Sequence, residues 1–254
     1  MIGLNLQGRT ALVTGATGEL GRVMARTLAA CGADVAVHYN TNEAKAEALA
    51  AEIRAAGRRA VSVQADITKL DSILAMRDKI SAELGHVDIV VANAVIQYTW
   101  TSVLEQPEED YRSQFESCVL QSVHLAKAFV PAMIERGAGR MIGINTECSM
   151  QHFESQSAYV AGKRGMDGVY RVLAKEVGPH QITVNQVAPG WTISERDRTN
   201  GTEKSEGYDK NVPLKRRGTD QDIANTVAFL ASDLAGFITG AYIPVCGGNV
   251  MPAI

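Results

Sequence analysis

Among the side chains able to move a proton, Tyr159 and Lys163 stand four residues apart in the stretch SAYVAGKRG. On a helix that spacing puts the phenol and the ammonium on one face. A cation beside a phenol favours the phenolate, so this tyrosine would carry a proton nearer neutrality than the ordinary phenol pKa of about 10 allows. Thr146, thirteen residues before Tyr159 and directly after the apolar run RMIGIN, adds a hydroxyl at the same strand-end face. Phenol and ammonium together suit general acid/base work. A YxxxK pair also occurs in ordinary helices, so the surrounding elements have to decide.

A second patch with chemical content is TGATGELG, Thr14 to Gly21, between the run TALV and the helical pattern LGRVMARTLAAC. Glycines at 15, 18 and 21 let a backbone approach a ligand closely, and the N-terminus of the helix that follows offers unpaired N–H groups to a phosphate. Glu19 is out of place in such a cradle. The helix dipole favours a carboxylate in a first turn, but a bound pyrophosphate would repel it.

The elements that must position these groups alternate along the chain. Strand patterns TALV, DVAVHY, AVSVQAD, DIVVANA, RMIGIN, ITVNQVA and AYIPV are separated by amphipathic helices, EAKAEALAAEIRAAG and DSILAMRDKISAELG among them. Nearly continuous apolar strands alternating with helices indicate an α/β fold, a Rossmann-like doubly wound parallel sheet with helices on both faces. A long helical pattern runs from about Glu108 to Arg136, with Phe115, Cys118, Val119, Phe129, Val130 and Met133 on one side and Pro131 marking a kink or the last turns. The polar stretch from Trp191 to Pro213 is too long for an ordinary connector and reads as a lid within one domain of residues 1–254. Open parallel sheets bind ligands beyond the carboxyl ends of their strands, where the glycine loop and the loops at Tyr39, Asp66, Asn93, Thr146 and Pro189 would gather.

Composition narrows the class. A chain of 254 residues, 46% hydrophobic, supports one large core. A net charge of −3 leaves no basic surplus for a nucleic acid, and PLKRRG around Lys215 reads as a short solvated turn. Cys31, Cys118, Cys148 and Cys246 lack metal-ligand spacing, which points to reduced thiols in a cytoplasmic protein and to no metal. No run reads as a signal peptide or reaches membrane-spanning length, so no membrane partner is expected.

With the glycine loop, QADIT, ANAV, GRMIGINT, YVAGK, VNQVAPGWTIS and PVCGG in this order, the whole chain resembles the short-chain dehydrogenase/reductase family in its short single-domain subgroup. The resemblance implies an NAD(P)(H)-dependent oxidoreductase that interconverts a carbonyl and a secondary alcohol. Tyr159 would be the general acid/base, Lys163 would lower its pKa and bond the nicotinamide ribose, and Thr146 would orient the substrate. Gly15, Thr17, Gly18, Leu20, Gly21, Tyr39, Asn40, Asp66, Ile67, Asn93, Ala94, Pro189, Gly190 and Thr192 would hold the dinucleotide, with Asp66 at the adenine. The family also implies a homotetramer through the long helix before Pro131, the Tyr159 helix and the C-terminal strand, with Val169, Tyr170, Val172 and Leu173 supplying extra apolar surface on the Tyr159 helix.

Several residues depart from the family pattern. The glycine spacing is TGxxGxxG in place of TGxxxGxG, Val95 replaces a glycine, Cys118 stands at an asparagine that helps hold a proton-relay water, Thr146 at a serine, and Cys246 at an aspartate. Tyr39 sits where an NAD-specific relative carries a carboxylate, which favours NADP(H) with NAD(H) as the alternative; Asn40, Thr41 and Asn42 would then serve as neutral donors. Gln97, Tyr98, Trp100, Glu147, Gln151, His152 and Phe153 make a polar substrate such as a sugar or polyol the expected ligand. A rival reading is a dinucleotide-binding regulatory or catalytically decayed protein on the same fold.

Overall fold

The computed structural model describes residues 4–252. Seven strands form one parallel sheet: β1 (Thr10–Val13), β2 (Asp34–Tyr39), β3 (Ala60–Gln64), β4 (Ile89–Ala92), β5 (Gly139–Ile144), β6 (Ile182–Pro189) and, beyond two short strands of the 190–219 region, β9 (Tyr242–Val245). Their order is β3-β2-β1-β4-β5-β6-β9. The chain winds outward from β1 to β3, returns to β4 beside β1, and winds outward the other way. The carboxyl ends of β1 and β4 therefore flank the crevice where such sheets bind ligands.

Each central strand is buried on both faces, because the strand period of two sends alternate residues into two separate cores. Ala11, Val13, Val35, Val37, Ile89 and Val91 pack with α1 (Glu19–Ala30), α2 (Glu43–Ala55) and the late helix Asp220–Ala231. Leu12, Ala36, Val90 and Ala92 pack instead with α3 (Leu70–Leu84) and with the Gln121–Arg136 and Ser157–Val177 helices.

The long helical segment has three parts. α4 (Glu108–Gln114) passes into a π turn (Phe115–Leu120) and then α5 (Gln121–Arg136). The distortion therefore lies well before Pro131, which sits near the end of α5 as expected, with Gly137 as a left-handed stop at φ 65°. One residue of widened turn rotates what precedes it, and Phe115, expected inside, is exposed. The whole 108–136 segment is long and apolar enough to span a membrane by length and composition, which corrects the expectation that no run is. It packs on α3 and on the Ser157–Val177 helix of the same molecule, as a core helix does.

After α6 (Cys148–Gln151), α7 (Ser157–Val177) carries the YxxxK pair. The 191–213 stretch is built of β7 (Thr192–Ile193), α8 (Glu195–Asn200) and α9 (Glu206–Asn211), and β7 pairs with β8 (Gly218–Thr219) just before α10 (Asp220–Ala231). Ser194 and Asp197 form a reciprocal cap on α8. The KRR turn is only partly solvated. Arg217 is buried, donates to Thr192 O at 2.9 Å and Thr202 O at 2.8 Å, and lies 4.5 Å from the Trp191 ring centroid.

Candidate active site

The glycine loop is folded by two close approaches. Gly15 has φ +62°, and a Cβ on it would stand 3.0 Å from Ala94 Cα; a Cβ on Gly21 would stand 2.2 Å from Gly15 O. Only glycine allows that turn and that seating of α1. α1 has Gly18 at its N-cap with no side-chain bond, so no side chain competes with a ligand for its first-turn N–H groups.

A polar network ties this loop to its neighbours. Thr14 Oγ1 accepts from the N–H groups of Asn93 (2.9 Å) and Ala94 (3.0 Å) and lies 2.8 Å from Gln121 Oε1. Asn93 Nδ2 donates to Thr14 O at 2.9 Å. On the opposite side Gly15 N–H donates to His38 Nδ1 at 2.9 Å, and His38 Nε2 meets Ala65 O at 3.1 Å. These two partners fix the neutral ring with its proton on Nε2, and burial pushes its pKa down to about 4.

A cavity of about 1270 Å³ runs from this loop to the 191–213 segment. Of the expected residues, Gly15, Thr17, Gly18, Leu20, Asn40, Ile67, Asn93, Ala94, Pro189, Gly190 and Thr192 line it, together with Thr146, Tyr159 and Lys163. Gly21, Tyr39 and Asp66 are not on its wall. Gly21 packs the helix. Tyr39 shares the face of β2 used by Val35 and Val37, so it joins the core under α1 and α2, whereas His38 turns to the opening. Asp66 closes its own turn: Oδ1 accepts from Thr68 N–H at 3.0 Å and Thr68 Oγ1 at 2.6 Å. Gln97, Tyr98, Trp100, Glu147 and Phe153 line the cavity, but Gln151 and His152 do not.

Around the YxxxK pair, Asn145 Oδ1 accepts from Thr146 N–H at 2.9 Å and Asn145 Nδ2 donates to Lys163 O at 3.0 Å, joining the hydroxyl-bearing loop to α7. Lys163 is buried, donates to Ile144 O at 2.6 Å, and holds its ammonium 5.8 Å from the Tyr159 ring centroid. Tyr159 stacks on Trp100 and its N–H donates to Tyr98 Oη at 2.8 Å. Burial drives the phenol well above its ordinary range, and a hydrogen bond with the Thr146 hydroxyl pulls it back. At neutral pH the phenol is therefore a proton donor. Cys118 lies in the π turn with its carbonyl accepting from Ser122 Oγ at 2.6 Å.

Glu19 neither meets solvent alone nor simply faces the cradle. Its Oε2 accepts from Arg22 Nη2 at 2.7 Å and from the N–H groups of Glu195 (3.0 Å) and Arg196 (3.4 Å) at the start of α8. The misplaced carboxylate thus bridges the glycine loop to the 191–213 segment.

Sequence reasoning missed His38, Gln156, Arg196, Tyr208, Asn211 and Asn249, all on the cavity wall. A histidine inside the apolar strand DVAVHY was the one readable signal. The others sit in polar loops whose approach depends on the fold. Among the described residues no group of three His, Cys, Asp or Glu side chains comes together, and the four cysteines are unpaired.

A parallel sheet with a glycine cradle at its switch point, an uncapped helix N-terminus, and a phenol, ammonium and hydroxyl in one cavity defines a dinucleotide-dependent oxidoreductase. A family model described as enoyl-(acyl carrier protein) reductase matches residues 15–249. The chain is 38% identical over 248 residues to a 3-oxoacyl-[acyl-carrier-protein] reductase of Escherichia coli, covering 98% of this chain and all of the relative. It is 35% identical over 243 residues to the enzyme of that description from Staphylococcus epidermidis, covering 96% and 99%. Among solved structures, a gluconate 5-dehydrogenase from Burkholderia cenocepacia in complex with NADP and tartrate superposes with a TM-score of 0.88 at 28% identity, over 97% of this chain and 96% of that one. The chain belongs to the short-chain dehydrogenase/reductase family. It is an NAD(P)-dependent oxidoreductase that interconverts a carbonyl and an alcohol.

Proposed function

We propose that Tyr159 is the proton donor and acceptor of this reaction, that Thr146 orients the substrate oxygen, and that NADP(H) is the preferred dinucleotide. The observation that carries the reading is the convergence of Thr146, Tyr159 and Lys163 on one cavity with the glycine loop. The dinucleotide, when bound, supplies or takes the hydride. In reduction the Tyr159 O–H bond breaks as its proton passes to the carbonyl oxygen, giving the alcohol and a phenolate that the Lys163 ammonium stabilises. In oxidation the proton returns from the alcohol. The Thr146 hydroxyl, placed by Asn145, bonds the substrate oxygen in both directions. Lys163, with two further N–H bonds beyond the one to Ile144 O, has donors left for the ribose.

The NADP preference rests on the end of β2. Asn40, Thr41 and Asn42 line the cavity with no carboxylate among them to grip a ribose 2′-hydroxyl. Asn42 Oδ1 is committed to capping α2 through Lys45 N–H, which leaves its Nδ2 as donor. The 191–213 segment serves as the lid, and the protein works in the cytoplasm. Its assembly is a homotetramer built on the apolar groove of about 670 Å³ between α5 and α7, lined by Val130, Pro131, Val169, Val172 and Leu173. Tyr170, expected on that surface, is fully buried in the core.

The test is a set of steady-state rates with NADPH and NADH on small ketones, aldehydes and sugars. A kcat/KM ratio of about tenfold or more toward NADPH is expected. Preference for NADH overturns the cofactor reading, and equal rates for wild type and Tyr159→Phe overturn the assigned chemistry.

A further inference from the structure

At the lid end of the cavity, Glu147 is a carboxylate only 3% exposed that nevertheless lines the wall. Tyr208 Oη donates to its Oε1 at 2.9 Å, and Asn249 Nδ2 donates to its Oε2 at 3.0 Å. Burial pushes its pKa up, and the groups that act against this among the described residues are Asn249, Tyr208 and the Trp191 N–H, none of them a cation. Buried charges are ordinarily paired, and a carboxylate has about four acceptor positions, so Glu147 keeps both an uncompensated charge and room for further donors. Gln156, 8% exposed, lines the same cavity, and its Oε1 meets no donor among the described residues. The cations on the cavity wall among the described residues are Lys163, assigned to the reacting end, and Arg196, whose backbone N–H is held by Glu19 and which is not among the groups acting on Glu147. Among the described residues, the acceptors around Glu147 therefore have no cation acting on that carboxylate.

We propose that this site selects substrates without negative charge that carry several hydroxyl donors, a neutral polyol or the corresponding sugar, and that Glu147 and Gln156 are the specificity-determining acceptors. The inference rests on the oxidoreductase reading above and narrows it. A sugar acid brings a second carboxylate toward Glu147 with no cation between them, and like charges at a shared site oppose one another. A neutral polyol fills the vacant acceptor positions with hydroxyl groups. An unsatisfied buried acceptor costs more than a made bond returns, so a compound lacking those hydroxyls binds poorly.

The experiment compares glucitol, gluconate and glucamine, one carbon skeleton with a neutral, anionic or cationic end, as substrates with NADP+. In parallel, their binding to the NADPH-saturated protein is followed through the fluorescence of Trp100 and Trp191, both on the cavity wall. Wild type is expected to disfavour gluconate against the other two by about tenfold or more in affinity and in kcat/KM, and Glu147→Gln to shrink that gap to about threefold or less. Gln156→Leu, which leaves the charge in place, should raise the KM for glucitol with little change in kcat. Wild-type preference for gluconate, an unchanged ranking in folded Glu147→Gln, or no saturable binding by any of the three overturns the proposal. Turnover that depends on Tyr159 without charge ranking leaves the oxidoreductase reading standing and removes this one. The expected binding ranking with no turnover on a broad panel does the reverse.

Discussion

Replacing Glu19 by glutamine tests whether this carboxylate acts on the dinucleotide or on the 191–213 segment, because the two effects have opposite signs. If repulsion of a pyrophosphate dominated, neutralisation would tighten binding. The geometry argues otherwise: Glu19 accepts from Arg22 and from two N–H groups at the start of α8, and Arg22 also pairs with Glu195 at 2.7 Å. Glu19 is 44% exposed and Glu195 61%, so the ion pairs are worth about 0–1 kcal/mol. A carboxylate on first-turn N–H groups adds roughly 0.3–1 kcal/mol. Losing both to alanine costs about 1 kcal/mol of closure, or roughly a fivefold rise in the Kd for NADPH. Glutamine keeps a neutral acceptor, so its effect should be about twofold. Calorimetric titration at low and high salt measures this, and the difference from wild type should shrink as salt screens the charge. Tighter binding by Glu19→Gln refutes the bridge and restores the repulsion account.

Tyr159→Phe should lower turnover by about 10²–10⁴ while leaving NADPH affinity nearly intact, measured by steady-state kinetics and calorimetry. Because burial raises the phenol pKa, the rate of carbonyl reduction should show no loss of the proton donor between neutrality and the ordinary phenol pKa of about 10, read from a kcat profile. His38 has a folded pKa of about 4, so between about 6.5 and 4 the unfolded chain binds more protons than the native one. Its contribution is fully present above about 6.5 and is lost as pH falls through that window, by up to ~3 kcal/mol. Urea unfolding at pH 7.5 and 4.5 should show a smaller pH difference for His38→Asn. If the α5–α7 groove is the assembly contact, wild type should be a tetramer by light scattering and Val172→Glu, at a position 57% exposed in that groove, should yield monomers or dimers; a monomeric wild type refutes the assembly reading.

The placements that depend on local spacing were legible without coordinates. Helix geometry alone places Tyr159 and Lys163 on one face, glycine spacing alone marks the cradle, and alternating strands and helices imply the doubly wound sheet. Tertiary structure decided where individual side chains point. β2 is buried on both faces, so no polar alternation in DVAVHY told which of His38 and Tyr39 meets the opening; the helices packed on each face settled it. Asp66 is an equally good turn closer or ligand contact by residue type, and its bonds to Thr68 appear only in the fold. Glu147, Tyr208 and Asn249 lie 61 and 102 residues apart and share one end of the cavity only because β6 and the segments after it return beside β5. Local rules reach about one helical turn or one strand pair, and contacts of that separation belong to the sheet order.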